Sequence, residues 1–112
     1  MAVSKMEANA VGSPQRTYNP TLRTGMRGFV TVNQNGNLVQ ITGSIISDNE
    51  DISVGTSLFA VPLPSAGIYF EATSYDKASP LQISASTGSV SPVDYVFRKS
   101  IWWHVNLTYF AQ

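Results

Sequence analysis

The sequence predicts an all-β fold, a small antiparallel β-sandwich or barrel of jelly-roll type. Three observations carry that expectation. Apolar residues alternate with period two through most of the chain after residue 25, and no 3.6-residue period runs through it. Clusters of Gly, Pro, Asn and Asp cut the alternating runs into short pieces with regular turn signals. Ser and Thr supply 23 of the 112 residues while only 12% are charged, a composition suited to the surface of strands.

The elements follow in order. Residues 26–34 (MRGFVTVNQ) are rich in β-branched and aromatic residues and predict a strand. Asn35-Gly36 then predicts a type I′ hairpin turn, whose two central positions need positive φ. From Asn37 to Ser47, Val39, Ile41, Gly43 and Ile45 share one face, and Leu38, Gln40, Thr42 and Ser44 the other. Asp48 to Gly55 holds three of the seven acids and reads as a loop. Ser57–Val61 is a short apolar strand stopped by Pro62 and Pro64, since proline cannot donate to a ladder. Ile68–Tyr75 alternates again, with a turn at Asp76–Ser79. Leu81, Ile83 and Ala85 mark a further strand, Thr87-Gly88 a turn, and Val93–Phe97 another short strand. The last strand, Ile101–Phe110, places Ile101, Trp103, Val105, Leu107 and Tyr109 on one face and Trp102, His104, Asn106, Thr108 and Phe110 on the other.

Charge divides the chain in two. Residues 1–27 carry Lys5, Arg16, Arg23 and Arg27 against Glu7, and the remainder carries three cations against six acids. Residues 1–25, with Pro14 and Pro20 and no strand or helix period, read as an extended basic docking arm, and residues 26–112 as the β-domain. Over the whole chain seven cations balance seven acids, which argues against a dedicated nucleic-acid binder. No apolar run approaches the ~20 residues of a membrane helix, so no membrane insertion is expected, and the first residues lack the apolar core of a secretory leader. Cysteine is absent, which removes disulfides, zinc–thiolate sites and thiol nucleophiles.

The order of signals in residues 26–112 resembles the C-terminal head domain of tailed-phage receptor-binding and baseplate proteins. A strand pair around GFVTVNQNGNLVQITGSI comes first. VGTSLFAVPLP follows as a strand ending in proline, then GIYFEATSYDKASPLQISASTGSV, and an aromatic final strand, IWWHVNLTYFAQ. The resemblance implies a homotrimer of β-domains in a phage virion, with no cofactor and with host surface saccharide as the ligand. The long shoulder or fibre that precedes such heads has no counterpart here; about 25 residues stand in its place. That leaves a second expectation, a capsid or tail decoration (cement) protein docked on other virion proteins through the arm. Physics independently favours an oligomer. An aromatic strand on a small unstapled domain is most economically covered on one face by the core and on the other by a neighbouring subunit.

The candidate contact residues are Trp102, His104, Asn106, Tyr75 and Asp76. Trp102 could stack on a sugar ring while Asn106 and His104 bond its hydroxyls, and Tyr75 and Asp76 lie at a loop tip. Packing under a loop or at a subunit interface would explain Trp102 and His104 equally well. His104 has no partner of ligand type at metal spacing. Asp48, Glu50 and Asp51 fail the EF-hand pattern, with Ser53 at position 6 and Phe59 at position 12. Glu71, Asp76 and Asp94 offer no carboxylate pair at a spacing that sequence can fix, and no G-x-S-x-G elbow is present. No metal and no enzymatic activity are expected. A binder would keep a tryptophan facing solvent at a cleft; a cement protein would bury both.

Overall fold

The computed structural model describes residues 15–112, which form eight antiparallel strands and no helix. They are β1 (Gln15–Tyr18), β2 (Met26–Asn35), β3 (Leu38–Ser47), β4 (Phe59–Ala60), β5 (Ile68–Ser74), β6 (Lys77–Ile83), β7 (Ser89–Pro92) and β8 (Trp103–Phe110). Their order across the sheet is β1-β2-β3-β8-β5-β6-β7-β4. The two halves, β1-β2-β3-β8 and β5-β6-β7-β4, are joined in the ladder at one residue pair, Thr73 on β5 opposite His104 on β8, with an isolated bridge between Pro64 and Ala111 beyond the end of β8. The sheet curls there into a half-barrel. Across its open seam the Arg23 amide donates to the Leu58 carbonyl at 2.8 Å.

The concave side of the curl holds the core. Val30 and Val32 from β2, Val39, Ile41 and Ile45 from β3, Ala72 from β5, Leu81 and Ile83 from β6, and Trp103, Val105 and Tyr109 from β8 are all buried there. The faces expected for β3, β5 and β8 are those observed, because one residue of slip would turn every apolar side chain to water. Gly43 lies between Val30 and Val105 in the ladders. A Cβ there would collide with the Phe29 carbonyl and stand 2.8 Å from the Val30 Cα, so glycine sets how closely β2 and β3 approach.

Four details differ from the sequence expectation. The first hairpin turns on Gly36 and Asn37, with Asn35 paired to Leu38. Gly36 has a φ of 62° and Asn37 does not share the positive φ, the pattern of a type II′ turn with glycine first. The turn after β5 comprises Tyr75 and Asp76, so Lys77–Ser79 belong to β6. The strand expected at Val93–Phe97 is displaced to Ser89–Pro92; Asp94 adopts a φ of 68°, incompatible with a ladder, and only Phe97 makes an isolated bridge, to Ile52.

The fourth concerns the domain boundary. Gln15–Tyr18, expected within the arm, pair with β2, and Leu22 packs against the core. The folded unit therefore takes in residues placed outside it by the boundary at residue 25. Lys5 and the rest of residues 1–14 lie outside the described residues.

Tyr109 closes the far end of β8. Its hydroxyl donates to the Pro62 carbonyl at 2.7 Å. Burial, with Tyr18 nearby as a smaller cause, pushes its phenol well above the ordinary range.

Two outcomes are expected. Deleting residues 1–25 removes β1, the Leu22 packing and the Arg23–Leu58 bond, and should lower stability in urea unfolding by about 2–4 kcal/mol; an unchanged midpoint would assign these residues to the arm after all. Tyr109 is held protonated in the fold while the unfolded phenol ionises near 10.0, so its contribution is whole below that pH and is lost as pH rises past it. Tyr109→Phe should cost about 1–2 kcal/mol at neutral pH, by orphaning the Pro62 carbonyl, yet flatten the loss of stability above about pH 10.

Candidate functional site

The corner between the half-sheets carries a cleft of about 440 Å³ lined by Ser74, Tyr75, Lys77, Ser100, Ile101, Trp102 and His104. Its walls come from the β5–β6 turn on one side and the segment leading into β8 on the other. Three of the five candidate contact residues, Tyr75, Trp102 and His104, meet there. Asp76 is the next residue of the turn, with its carboxylate 3.8 Å from Lys77 Nζ. Asn106 stands two residues farther along the outer face of β8, opposite Thr42, and does not line the cleft.

Alternation on β8 separates the two tryptophans. Trp103 turns inward, 1% exposed, and packs on Phe97 with ring centroids 5.8 Å apart. Trp102 turns outward and remains 41% exposed. A Cβ on Gly28 would come 2.8 Å from its Cζ3, so the ring rests where β2 has no side chain. The Arg27 guanidinium lies 5.3 Å from its centroid and is itself bound to both Asp48 carboxylate oxygens, at 3.1 and 2.9 Å from Nε. Trp102 is thus a fixed platform with a free surface.

His104 shares a 2.7 Å hydrogen bond with Ser44 Oγ through Nδ1. That bond fixes the ring. Among the described residues no carboxylate completes the pair into a Ser–His–acid array, and no group of three or more His, Cys, Asp or Glu stands ready for a metal.

The loop that presents Ser100 and Trp102 is held from beneath. Trp103 Nε1 donates to the Arg98 carbonyl at 3.1 Å, the Lys99 amide to Asp51 Oδ1 at 2.9 Å, and the Ser100 amide to the Ser47 carbonyl at 2.7 Å. The acidic loop thereby acts as an anchor, through Asp48 and Asp51.

Backbone strain concentrates at this cleft. Three non-glycine residues among those described have positive φ, and two of them line it: Tyr75 at 52° and Ser100 at 62°. Tyr75 occupies the first central position of a two-residue hairpin turn, where a II′ turn takes glycine, and its side chain is fully exposed. The fold holds a bulky ring in water at a position that disfavours it.

Of the four basic residues assigned to docking, Lys5, Arg16, Arg23 and Arg27, the three described ones are scattered. Lys5 lies outside the described residues. Arg16 on β1 donates to Gln34 Oε1 at 3.0 Å and sits over Tyr18; Arg23 bridges the seam through its backbone; Arg27 belongs to β2 and serves Trp102. Ser74, Ser100 and Ile101 were not singled out by sequence, because their approach depends on pairing Thr73 with His104 across 31 positions of chain.

Comparison with known proteins finds no family model that matches the chain and no curated protein significantly similar to it.

Replacing Tyr75 by glycine should raise stability by about 1 kcal/mol, and Ser100→Gly should act in the same direction, by relieving left-handed strain. Urea midpoints test this; no gain in either variant would mean that both positions are relaxed.

Proposed function

We propose that the protein is a saccharide-recognising head of a tailed-phage appendage, acting as a homotrimer within the virion. The observation that carries the reading is the division of labour between neighbouring tryptophans: Trp103 is core, while Trp102 faces solvent in the wall of a cleft beside Tyr75 and His104. A sugar's apolar face stacks on an aromatic ring, and its hydroxyls need donors and acceptors at the rim. Ser74, Ser100 and His104 are of that kind.

The outer face of β2, β3 and β8 supports the trimer. It presents Phe29, Thr31, Asn33, Leu38, Gln40, Thr42, Ser44, His104, Asn106, Thr108 and Phe110, and Arg27, beside Trp102 at one end, is the one charged side chain of these strands that shares it. Phe29 is 58% and Phe110 66% exposed. Charge depletion with exposed aromatics marks surfaces that meet another protein. His104 stands at one end of this face, so trimer packing would set each cleft beside a neighbouring subunit, and three weak sites would act together through avidity. A purely decorative role on a capsid or tail would use the same face for docking and leave Trp102 without a task.

Light scattering across dilution should give a mass near three times 12.1 kDa. Host surface polysaccharide should bind the intact protein, and Trp102→Ala should weaken that binding at least about tenfold with the thermal midpoint little changed. A monomer that binds no saccharide would transfer the protein to the decoration role.

A further inference from the structure

A second cleft, about 260 Å³, opens beside the first and shares Lys77 and Ile101 with it. Its remaining lining includes Ser79, Tyr95, Arg98 and Trp103. The pair of clefts brings two cations together, where the clefts beside Arg16 and beside Arg23 have one each. The whole chain has equal numbers of acids and bases, yet no carboxylate lines either cleft while Lys77 and Arg98 do.

Both cations are available. Among the described residues Arg98 has no carboxylate within 4 Å; its Nη1 donates to Tyr95 Oη at 2.9 Å, and the guanidinium lies 5.8 Å from that ring's centroid. The tyrosine orients the fork without neutralising it. Among the described residues the one carboxylate near Lys77 is that of Asp76, at 3.8 Å between two exposed side chains, a contact too loose to hold it. Ser79 lies beneath the cleft wall. Its residue is 2% exposed, and its hydroxyl is the one buried side-chain polar atom among the described residues with no hydrogen-bond partner. Buried polar groups are nearly always satisfied, and a water beneath the cleft wall is the ordinary partner for such a hydroxyl.

We propose that this second cleft is an anion subsite, and that the ligand is an acidic saccharide whose ring lies on Trp102 and whose carboxylate is held by Arg98 and Lys77. The proposal rests on the saccharide reading of the first cleft and specifies its substrate class. A carboxylate fits better than a phosphate. The planar guanidinium fork matches a carboxylate edge to edge, and no helix among the described residues offers the amide cradle on which phosphates commonly sit.

The test is binding of the full chain to an array of acidic and neutral oligosaccharides, with the uronic acids repeated as methyl esters and with phosphorylated glycans included. Carboxylate-bearing glycans should bind about tenfold or more tightly than their own esters. That preference should weaken with salt, vanish in Arg98→Gln and Lys77→Gln, and be kept in part by Arg98→Lys; Trp102→Ala should lose acid and ester alike. Thermal midpoints show whether each variant is folded, and Arg98→Lys carries the test if Arg98→Gln is not. Equal binding of acids and esters, or a preference that survives both charge-removing variants, overturns the anion subsite and leaves the saccharide reading standing. Preference for phosphorylated glycans overturns the carboxylate assignment. Binding to no glycan overturns both.

Discussion

One strand has to serve both halves of this molecule. β8 is laddered along its length to β3 but shares only one ladder pair with β5, so the sheet passes from one half to the other at Thr73 and His104. Strict alternation does the rest. The inward residues of β8 complete the core, and the outward residues necessarily form a row facing solvent. Trp102 can be an exposed platform only because Trp103, next to it, is committed to Phe97 and to the carbonyl of Arg98. Corner, platform and anchored loop are three results of one pairing.

The cleft shows the opposite of economy. Tyr75 and Ser100 hold left-handed backbone at a cost of about 1–2 kcal/mol each, and Tyr75 gains no burial in return. Around them, interactions that look incidental converge on fixing Trp102 and its loop: Arg27 with Asp48, Lys99 with Asp51, Ser44 with His104. Individually these exposed contacts are weak. Together they restrict how the ring and the loop can move, which is what a recognition surface requires for low entropic cost on binding.

The faces of β3, β5 and β8 were legible in the sequence because period two depends only on neighbours along the chain. Partners were not. Nothing local says that β8 lies between β3 and β5, and that placement alone brings Ser74 and Ser100 to Trp102. β1 escaped notice for a different reason. Three of its four residues are exposed, so it has no buried face and no apolar alternation to read. The strand expected at Val93–Phe97 failed where Asp94 took a left-handed conformation, leaving the ladder to the shorter, polar Ser89–Pro92. Arg98 was visible as a charge, but its significance depends on Tyr95 and Lys77, which tertiary structure alone sets around it.

The single-pair corner has a mechanical consequence. Beyond that pair the halves are tied by apolar packing and by single backbone bonds, Arg23 to Leu58, Ser65 to Phe110 and Gln112 to Leu63, so movement between them slides side chains and breaks few ladder bonds. Packing is short-ranged and yields gradually, whereas a ladder fails bond by bond. The line through Thr73 and His104 is thus where fewest ladder bonds join the halves, and the cleft lies on it with Ser74 to one side and Trp102 to the other. A molecule seated in the cleft would act as a cross-brace, adding contacts to both halves where the ladder supplies one pair.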